Sequence, residues 1–239
     1  MTGADQPERE VAVLGLGKSG TSAARLLLSR GSRVYASDAG TSPAVEANAA
    51  ALRALGAAVD VGSHDLARIA RASRVVVSPG IDPENPPVAA ARDAGVPLVS
   101  EIEIALSALS KSQIIAVTGT NGKTTTTALI GHLLRGLGVD AVDAGNIGTP
   151  LSDMALREKQ PQWIALEMSS FQLHDTPSLS PEVGVLTNLT PDHLDRYRST
   201  DDYYADKARL FANATPRSKW VLNADDVLVG RMSENVAGE

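Results

Sequence analysis

Short runs of β-branched and aliphatic residues alternate along the chain with longer stretches rich in Ala and Leu. In the first half, the apolar runs predicted to form strands lie at 10–14, 33–38, 74–80 and 96–100. One helix is predicted at 19–31. Another begins at Ser42-Pro43, where proline suits the first helical position, and ends at Gly56. Strands separated by helices of this length indicate βαβ units and hence a parallel sheet.

The second half of the chain repeats this alternation after a polar break, SALSKS, at 107–112. A long helix is predicted at 124–137. Further strands are predicted at 114–117, 141–145, 163–168, 183–189 and 220–224. We therefore expect an α/β protein of two domains, 1–109 and 110–239, each built on a parallel sheet.

Composition narrows the class of protein. The chain has 239 residues, of which 43% are hydrophobic, so it can build a core and is not a disordered chain. The absence of Cys excludes disulfides, zinc-thiolate sites and a cysteine nucleophile. A net charge of −6 argues against nucleic-acid binding. No apolar run approaches the ~20 residues that span a bilayer, and the polar N-terminus resembles no leader. We expect a soluble, cytoplasmic protein with no membrane or nucleic-acid partner.

A first glycine-rich loop, Gly15-Leu16-Gly17-Lys18-Ser19-Gly20, follows a predicted strand and opens a predicted helix. This G-x-G-x-x-G spacing is typical of dinucleotide sites, where helix N–H groups favour an anion. Asp38 ends the second strand, where an acidic residue could hold a ribose hydroxyl or simply cap the strand. The loop alone leaves NAD and other nucleotides open as ligands.

A second glycine-rich loop, between the strand at 114–117 and the helix at 124–137, gives a sharper signal. Its G-K-T ending places a lysine on β- and γ-phosphates and a hydroxyl where Mg²⁺ binds. The general pattern has glycine five residues before Gly122, and Val117 stands there instead. The loop predicts an ATP or GTP phosphate site formed by Gly119, Thr120, Asn121, Gly122, Lys123, Thr124 and Thr125.

Phosphoryl transfer also needs groups for the metal and for the acceptor. Glu167 ends a predicted strand, His193 and Asp192 follow another, and Lys207 lies on a predicted helix. Each has an ordinary alternative: a strand cap, a solvated loop, or a surface charge. The remaining histidines, at 64, 132 and 174, lie in no motif with other catalytic or metal-ligating residue types, and we assign them no function.

The ordered series of motifs resembles the Mur ligases. It comprises TGTNGKTTT, then GNIGTP at 145–150, LEMSSFQL at 166–173, NLTPDHLDRY at 188–197, DKARLFANA at 206–214 and VLNADD at 221–226. The resemblance runs from the first glycine loop to residue 226. SSFQL and DHLDRY indicate the branch of the family that adds D-glutamate to UDP-N-acetylmuramoyl-L-alanine during peptidoglycan precursor synthesis.

The resemblance implies a Rossmann-like N-terminal domain that binds the UDP of the substrate, followed by an ATP-binding, P-loop-type central domain. ATP would phosphorylate the substrate carboxylate, and the amine of D-glutamate would displace phosphate. By the same likeness, the UDP pocket involves Lys18, Ser19, Asp38 and Gly80, and Asn146, Ser169 and His193 lie beside the substrate. Catalysis would involve Lys123, Glu167, His193 and Lys207. Mg²⁺ would be held by Thr124, Glu167, His193 and Lys207, the last as a carbamate.

Parts of the family pattern would follow residue 239: an HNxxN helix and an arginine near adenine, and a third domain that receives D-glutamate. We therefore expect the 239 residues alone to keep the UDP-substrate and phosphate sites but to show little or no ligase activity. Three alternatives stay open: a non-catalytic nucleotide-binding module, an NAD(P)-dependent oxidoreductase built on the first loop, and another member of the family.

Overall fold

The computed structural model describes residues 10–146, 148–193 and 196–239. The chain forms two compact units, the first ending at Ala105 and the second comprising Leu106–Glu239. Within the described ranges, no helix is long and apolar enough to cross a membrane.

The first unit is a parallel five-stranded sheet with the strand order β3-β2-β1-β4-β5. Its strands are β1 (Val11–Leu14), β2 (Val34–Asp38), β3 (Ala58–Val61), β4 (Arg74–Val77) and β5 (Leu98–Val99). Its helices are α1 (Lys18–Ser29), α2 (Pro43–Ala54), α3 (Leu66–Ile69), α4 (Pro86–Asp93) and α5 (Glu101–Leu106), and the last residue of α5 already belongs to the second unit.

The predicted elements of this unit form for the expected reasons. Every residue of β1 is buried, as in a parallel sheet covered on both faces. At the start of α2, the Ser42 side chain accepts a hydrogen bond from Val45 N at 3.3 Å, and Pro43 occupies the first turn. Strand β3 was not predicted, because it is half-buried at the sheet edge and carries Asp60 within a four-residue run.

The second unit is a parallel five-stranded sheet with the order β10-β9-β6-β8-β7. Its strands are β6 (Gln113–Thr118), β7 (Ala141–Gly145), β8 (Trp163–Glu167), β9 (Val183–Leu186) and β10 (Lys219–Leu222). Its helices are α6 (Lys123–Gly136), α7 (Leu151–Ala155), α8 (Ser170–His174), α9 (Thr200–Ala208) and α10 (Val227–Ser233), and a 3₁₀ turn covers Arg209–Phe211.

Strand β6 lies where the chain changes direction across this sheet, with β8 on one side and β9 on the other. Because the strands are parallel, the loops after β6, β7, β8 and β9 meet at one edge. The register places Glu167 beside Val117 on one side and beside Gly145 on the other. Such a switch point is where ligands bind in open α/β sheets. The α/β fold class with two parallel sheets is confirmed.

Candidate functional site

The loop between β6 and α6 has the backbone that its glycines permit. Gly119 has φ +141° and Gly122 has φ +81°, both in the region that favours glycine. A Cβ on Gly119 would collide with Thr187 Oγ1. Gly122 provides no side-chain cap for α6, so the N–H groups of the first turn receive no hydrogen bond from a capping side chain and can bind an anion in the loop.

The segment that follows β9 holds this loop in place. Thr187 Oγ1 and Asn188 Nδ2 both donate to Asn121 O, at 2.7 and 2.9 Å. Asn121 N donates in turn to Asn188 Oδ1 at 2.9 Å. Neither Thr187 nor Asn188 was predicted to have a role. The available signal was two polar residues directly after a buried strand, but which strand is the neighbour of β6 is decided only by the fold.

Two lysines converge on one carbonyl oxygen of the loop. Lys207 Nζ donates to Gly119 O at 2.7 Å, and Lys123 Nζ donates to the same oxygen at 3.1 Å and to Thr120 O at 2.7 Å. Lys207 is only 1% exposed, and its Nζ lies 4.7 Å from the centre of the Tyr203 ring. Two ammonium groups held this close would repel each other, which disfavours the charged form of the more buried one, Lys207.

Burial and, secondly, the charge of Lys123 lower the pKa of Lys207 to about 7, against the opposing effect of the carboxylates of Asp192 and Asp206. Lys207 is thus not the surface lysine that its charged sequence neighbours suggest. A substantial fraction of its amine is neutral near pH 7, and a neutral amine is a nucleophile.

Glu167 presents an incompletely paired carboxylate at the end of β8. It is 1% exposed, and its Oε1 accepts a hydrogen bond from Asn146 Nδ2 at 2.9 Å. Its Oε2 is buried without a hydrogen-bond partner among the described residues. A buried carboxylate oxygen without a partner is costly unless a cation balances it. The site therefore fits a bound divalent cation such as Mg²⁺, for which oxygen atoms are the preferred ligands.

His193 occupies an unusual backbone position in the loop after β9, with φ +53°. Its ring lies 5.5 Å from that of Phe171 and 6.3 Å from that of Tyr203. Tyr203 OH lies 3.1 Å from Thr120 Oγ1, so one ring links the His193 loop to the glycine loop. Within the described ranges, no three His, Asp or Glu side chains form a group that could hold a metal by themselves.

The other residues predicted for the site in this unit differ in their exposure and in their hydrogen bonds. Thr124 and Thr125 are exposed in the first turn of α6. Ser169 caps α8: its Oγ accepts from Gln172 N at 3.2 Å, and its N–H donates to Gln172 Oε1 at 2.9 Å. Ile147 of GNIGTP and Leu194 and Asp195 of DHLDRY lie outside the described residues, as do residues 1–9.

In the first unit, the glycine loop also has the close packing that its spacing predicts. Gly15 has φ +89°, and a Cβ there would lie 2.8 Å from Ser78 Oγ. Asp38 is tied to this loop, since Oδ2 accepts from Leu16 N and Oδ1 accepts from Gly40 N, both at 2.7 Å. In this structure Asp38 shapes the loop with both oxygens. Lys18 and Gly80 are exposed, and Ser19 is half-buried.

The second unit has a parallel sheet with a glycine-rich loop at its switch point. Two lysines contact that loop, and beside it lies a buried carboxylate with one unpaired oxygen. These features define a P-loop class of nucleotide-binding α/β protein. Comparison with known proteins identifies the family. The sequence matches the Mur ligase middle domain over residues 117–239 and the N-terminal domain described as Mur ligase MurD-like over residues 9–100. The chain belongs to the Mur ligase family.

Several curated proteins are similar to this chain. The UDP-N-acetylmuramoylalanine–D-glutamate ligase of Syntrophotalea carbinolica is 44% identical over 233 residues, covering 98% of this chain and 51% of that protein. The protein of the same name from Desulfatibacillum aliphaticivorans is 40% identical over 222 residues, covering 93% and 49%. The chain thus spans about half the length of the curated relatives it matches.

A solved structure supports the fold. The UDP-N-acetylmuramate:L-alanyl-γ-D-glutamyl-meso-diaminopimelate ligase of Neisseria meningitides superposes with a TM-score of 0.63 at 19% identity, covering 97% of this chain and 77% of that one. The two domain matches confirm the family resemblance, and the individual residue roles stay predictions.

Proposed function

We propose that this chain supplies the UDP-substrate and ATP sites of a ligase that adds D-glutamate to UDP-N-acetylmuramoyl-L-alanine. The observation that carries the proposal is the convergence of Lys123 and Lys207 on Gly119 O, beside the N-terminus of α6. The cationic Lys123 and the helix N–H groups at this loop suit the phosphates of ATP, and the neighbouring Lys207 is placed beside them. The substrate assignment rests on relatives that bear that ligase name.

The proposed chemistry needs no nucleophile from the protein. A carboxylate oxygen of the substrate attacks the γ-phosphorus, the bond to the β-phosphate bridge oxygen breaks, and ADP leaves. The neutral amine of D-glutamate then attacks the acyl carbon, a C–N bond forms, phosphate leaves, and the nitrogen gives up a proton. Lys123 and the N–H groups of α6 hold the β- and γ-phosphates and offset their charge.

The residues proposed for the metal are Thr124, Glu167 and His193, with Lys207 as a carbamate. When bound, Mg²⁺ neutralises charge on the transferred phosphoryl group. Within the protein, Asn146 orients Glu167 through the hydrogen bond to Oε1, which leaves Oε2 for the cation. The glycine loop meanwhile fixes where the phosphates lie relative to these groups.

Carbamylation of Lys207 is the finer part of the proposal. The neutral Nζ attacks the carbon of CO₂, an N–C bond forms, one C=O electron pair moves to oxygen, and the nitrogen releases a proton. Burial and a pKa of about 7 support it, because both favour the neutral amine. The carbamate nitrogen keeps one N–H that can donate to Gly119 O, and the modified side chain gains two oxygens.

We expect small carboxylates to rescue Lys207→Ala in part, measured as Mg²⁺-dependent nucleotide binding. If there is no rescue, Lys207 is an unmodified lysine.

The UDP part of the substrate is assigned to the first unit, with Lys18, Ser19, Asp38 and Gly80 as its contacts. Asn146, Ser169 and His193 are assigned to the acyl end. In this proposal residues 1–109 form the UDP-substrate domain and residues 110–239 the ATP domain. The substrates are cytoplasmic metabolites in this scheme, so we propose a cytoplasmic location.

Calorimetric titration of the 239-residue chain tests these assignments. We expect binding of the Mg²⁺ complex of AMP-PNP, a non-hydrolysable ATP analogue, and separately of UDP-N-acetylmuramoyl-L-alanine. Lys123→Ala should weaken the former and keep the latter, because it removes a charge from the phosphate site alone. Lys111→Ala, at an exposed position before β6, is the matched control. Tight NAD binding would favour the oxidoreductase alternative instead.

Turnover is a separate measurement. Because the chain spans about half the length of its relatives, we expect little or no phosphate release from ATP, the UDP substrate and D-glutamate together. Sustained phosphate release coupled to product formation would contradict that expectation. Binding of both ligands without turnover agrees equally with a non-catalytic nucleotide-binding module.

A further inference from the structure

Asp206 directly precedes Lys207 on α9 and is 8% exposed. Its carboxylate accepts three hydrogen bonds: from His174 Nδ1 at 2.6 Å, from Tyr197 OH at 3.0 Å and from Arg209 Nε at 3.2 Å. None of these four residues was predicted to have a chemical role. A buried carboxylate with three donors is a strong structural anchor, because charge-assisted hydrogen bonds are roughly twice as strong as neutral ones.

The three donors come from different parts of the second unit. His174 ends α8, and Arg209 begins the turn after α9. Tyr197 closes the turn that contains His193, since the N–H groups of Arg196 and Tyr197 donate to His193 O at 2.9 and 3.1 Å. One carboxylate therefore ties the His193 turn to the helix that carries Lys207.

The Tyr197 ring has its own packing, independent of its hydroxyl. It stacks on Phe171 with ring centres 5.1 Å apart and an angle of 11°, and it meets the edge of Tyr203 at 5.3 Å. Removing the hydroxyl or the Asp206 charge should therefore leave the ring in place. What such a change removes is the directional link between the His193 turn and α9.

We propose that Asp206 is a positioning residue for the phosphate site, fixing the His193 turn relative to Lys207 through its bonds to Tyr197 and His174. This inference rests on the proposed function. Asp206 is the chain neighbour of Lys207, but none of its three side-chain hydrogen bonds goes to the nucleotide loop or to a residue assigned to the metal. Its effect on Mg²⁺ binding is therefore indirect, and it is separable from the affinity for the nucleotide.

The test compares the full chain with Asp206→Asn, Tyr197→Phe and the matched control Asp202→Asn, an exposed position on the same helix. The dissociation constant of AMP-PNP is measured by calorimetry over a range of Mg²⁺ concentrations. The quantity compared is the Mg²⁺ concentration that gives half of the full Mg²⁺-dependent gain in AMP-PNP affinity. For Asp206→Asn we expect this concentration to rise about tenfold, as when hydrogen-bond partners behind a metal ligand are removed. Tyr197→Phe should shift it in the same direction, and Asp202→Asn should not. Affinity at saturating Mg²⁺ should be unchanged.

A second readout needs no metal. The chain has four histidines, so their ring Cε1–H signals can be assigned in an NMR spectrum. In the ligand-free chain, Asp206→Asn should broaden or shift the His193 signal, and Asp202→Asn should leave it in place. Unchanged His193 signals and unchanged Mg²⁺ dependence in Asp206→Asn would overturn the inference.

Two further outcomes are informative. If Asp206→Asn fails to fold, Tyr197→Phe decides: wild-type Mg²⁺ dependence in that variant overturns the inference. If Asp206→Asn lowers the melting temperature and weakens nucleotide binding equally at all Mg²⁺ concentrations, its role is only structural, and the inference is again overturned. Failure of the wild-type chain to bind AMP-PNP would instead overturn the proposed function, and this inference with it.

Discussion

Gly119 is the residue at which the phosphate loop comes closest to its supporting segment. Its φ of +141° is a conformation that L side chains rarely adopt, and an added Cβ would overlap Thr187 Oγ1. We predict that Gly119→Ala lowers the free energy of unfolding by more than about 1 kcal/mol and abolishes AMP-PNP binding. Thermal unfolding and calorimetry measure the two effects.

The matched control for that substitution is Gly136→Ala at the end of α6. Gly136 has no positive φ, and a Cβ there would meet nothing within 4 Å. Because alanine favours the helix, the change should be neutral or stabilise by up to about 1 kcal/mol. If Gly119→Ala behaves like Gly136→Ala, the loop conformation described here is wrong.

His174 provides a pH-dependent prediction at the same scale. The hydrogen bond to Asp206 is the main cause that raises the pKa of His174, against desolvation; Asp175 adds to the increase, and Arg209 opposes it. A raised folded-state pKa means that protonated His174 stabilises the fold. This contribution is complete below the unfolded pKa of about 6.5 and is lost as pH rises through the folded value.

His174→Asn should therefore lower the melting temperature more at pH 5.5 than at pH 8.5. His132→Asn, at an exposed position of α6, is the control for losing an imidazole. A larger destabilisation by His174→Asn at the higher pH would contradict the assigned hydrogen bond.

Among the short helices, α8 illustrates how one residue can have two roles. Ser169 was predicted to lie beside the substrate, and it also closes a capping box with Gln172. Ser169→Ala should cost about 1 kcal/mol of stability, because Gln172 N loses its acceptor. Ser199→Ala removes a comparable cap from α9 and is the control.

The two alanine variants separate the roles of Ser169. Both should lower the melting temperature, measured by thermal unfolding. If the substrate assignment is correct, only Ser169→Ala should also weaken binding of UDP-N-acetylmuramoyl-L-alanine, and Ser169→Thr should restore the stability. Equal substrate affinity in both alanine variants would leave Ser169 with its capping role alone.

Most elements could be predicted because their signals are local. The strand predicted at 141–145 is β7 (Ala141–Gly145), and the helix predicted at 124–137 is α6 (Lys123–Gly136). Both glycine-rich loops could be predicted for the same reason, because the spacing of their glycines indicates the backbone conformation. Strand β3 could not be predicted, because an edge strand with an internal Asp60 lacks a continuous apolar run.

The arrangement of the site was less predictable, because it depends on contacts between residues far apart in sequence. Lys207 bonds Gly119 across 88 residues, and its charged neighbours made it resemble a surface lysine. The donors to Asp206 come from one helix and two turns. The family resemblance indicated that Lys207 matters, but only the fold accounts for its burial and for the partners of Asp206.

At the scale of the whole molecule, the two units allow the two ligand assignments to be tested separately. A ligand that binds only the folded state stabilises it by about 2.7 kcal/mol at 100 times its dissociation constant. That stabilisation slows amide hydrogen exchange first where the ligand contacts the backbone. The proposed contacts lie in different units, so each ligand should leave a distinct exchange pattern.

We predict that Mg²⁺ with AMP-PNP slows exchange at 119–125 and at 187–190, because the latter segment holds the former through Thr187 and Asn188. UDP should slow exchange at 15–20 and at 38–40, where Asp38 accepts from Leu16 and Gly40. Exchange measured by mass spectrometry with each ligand alone checks both patterns, with NAD as the competing ligand. UDP protection at 119–125 without protection at 15–20 would reverse the assignment of the two loops. Protection at 15–20 by NAD but not by UDP would show that the first loop binds a dinucleotide and not UDP.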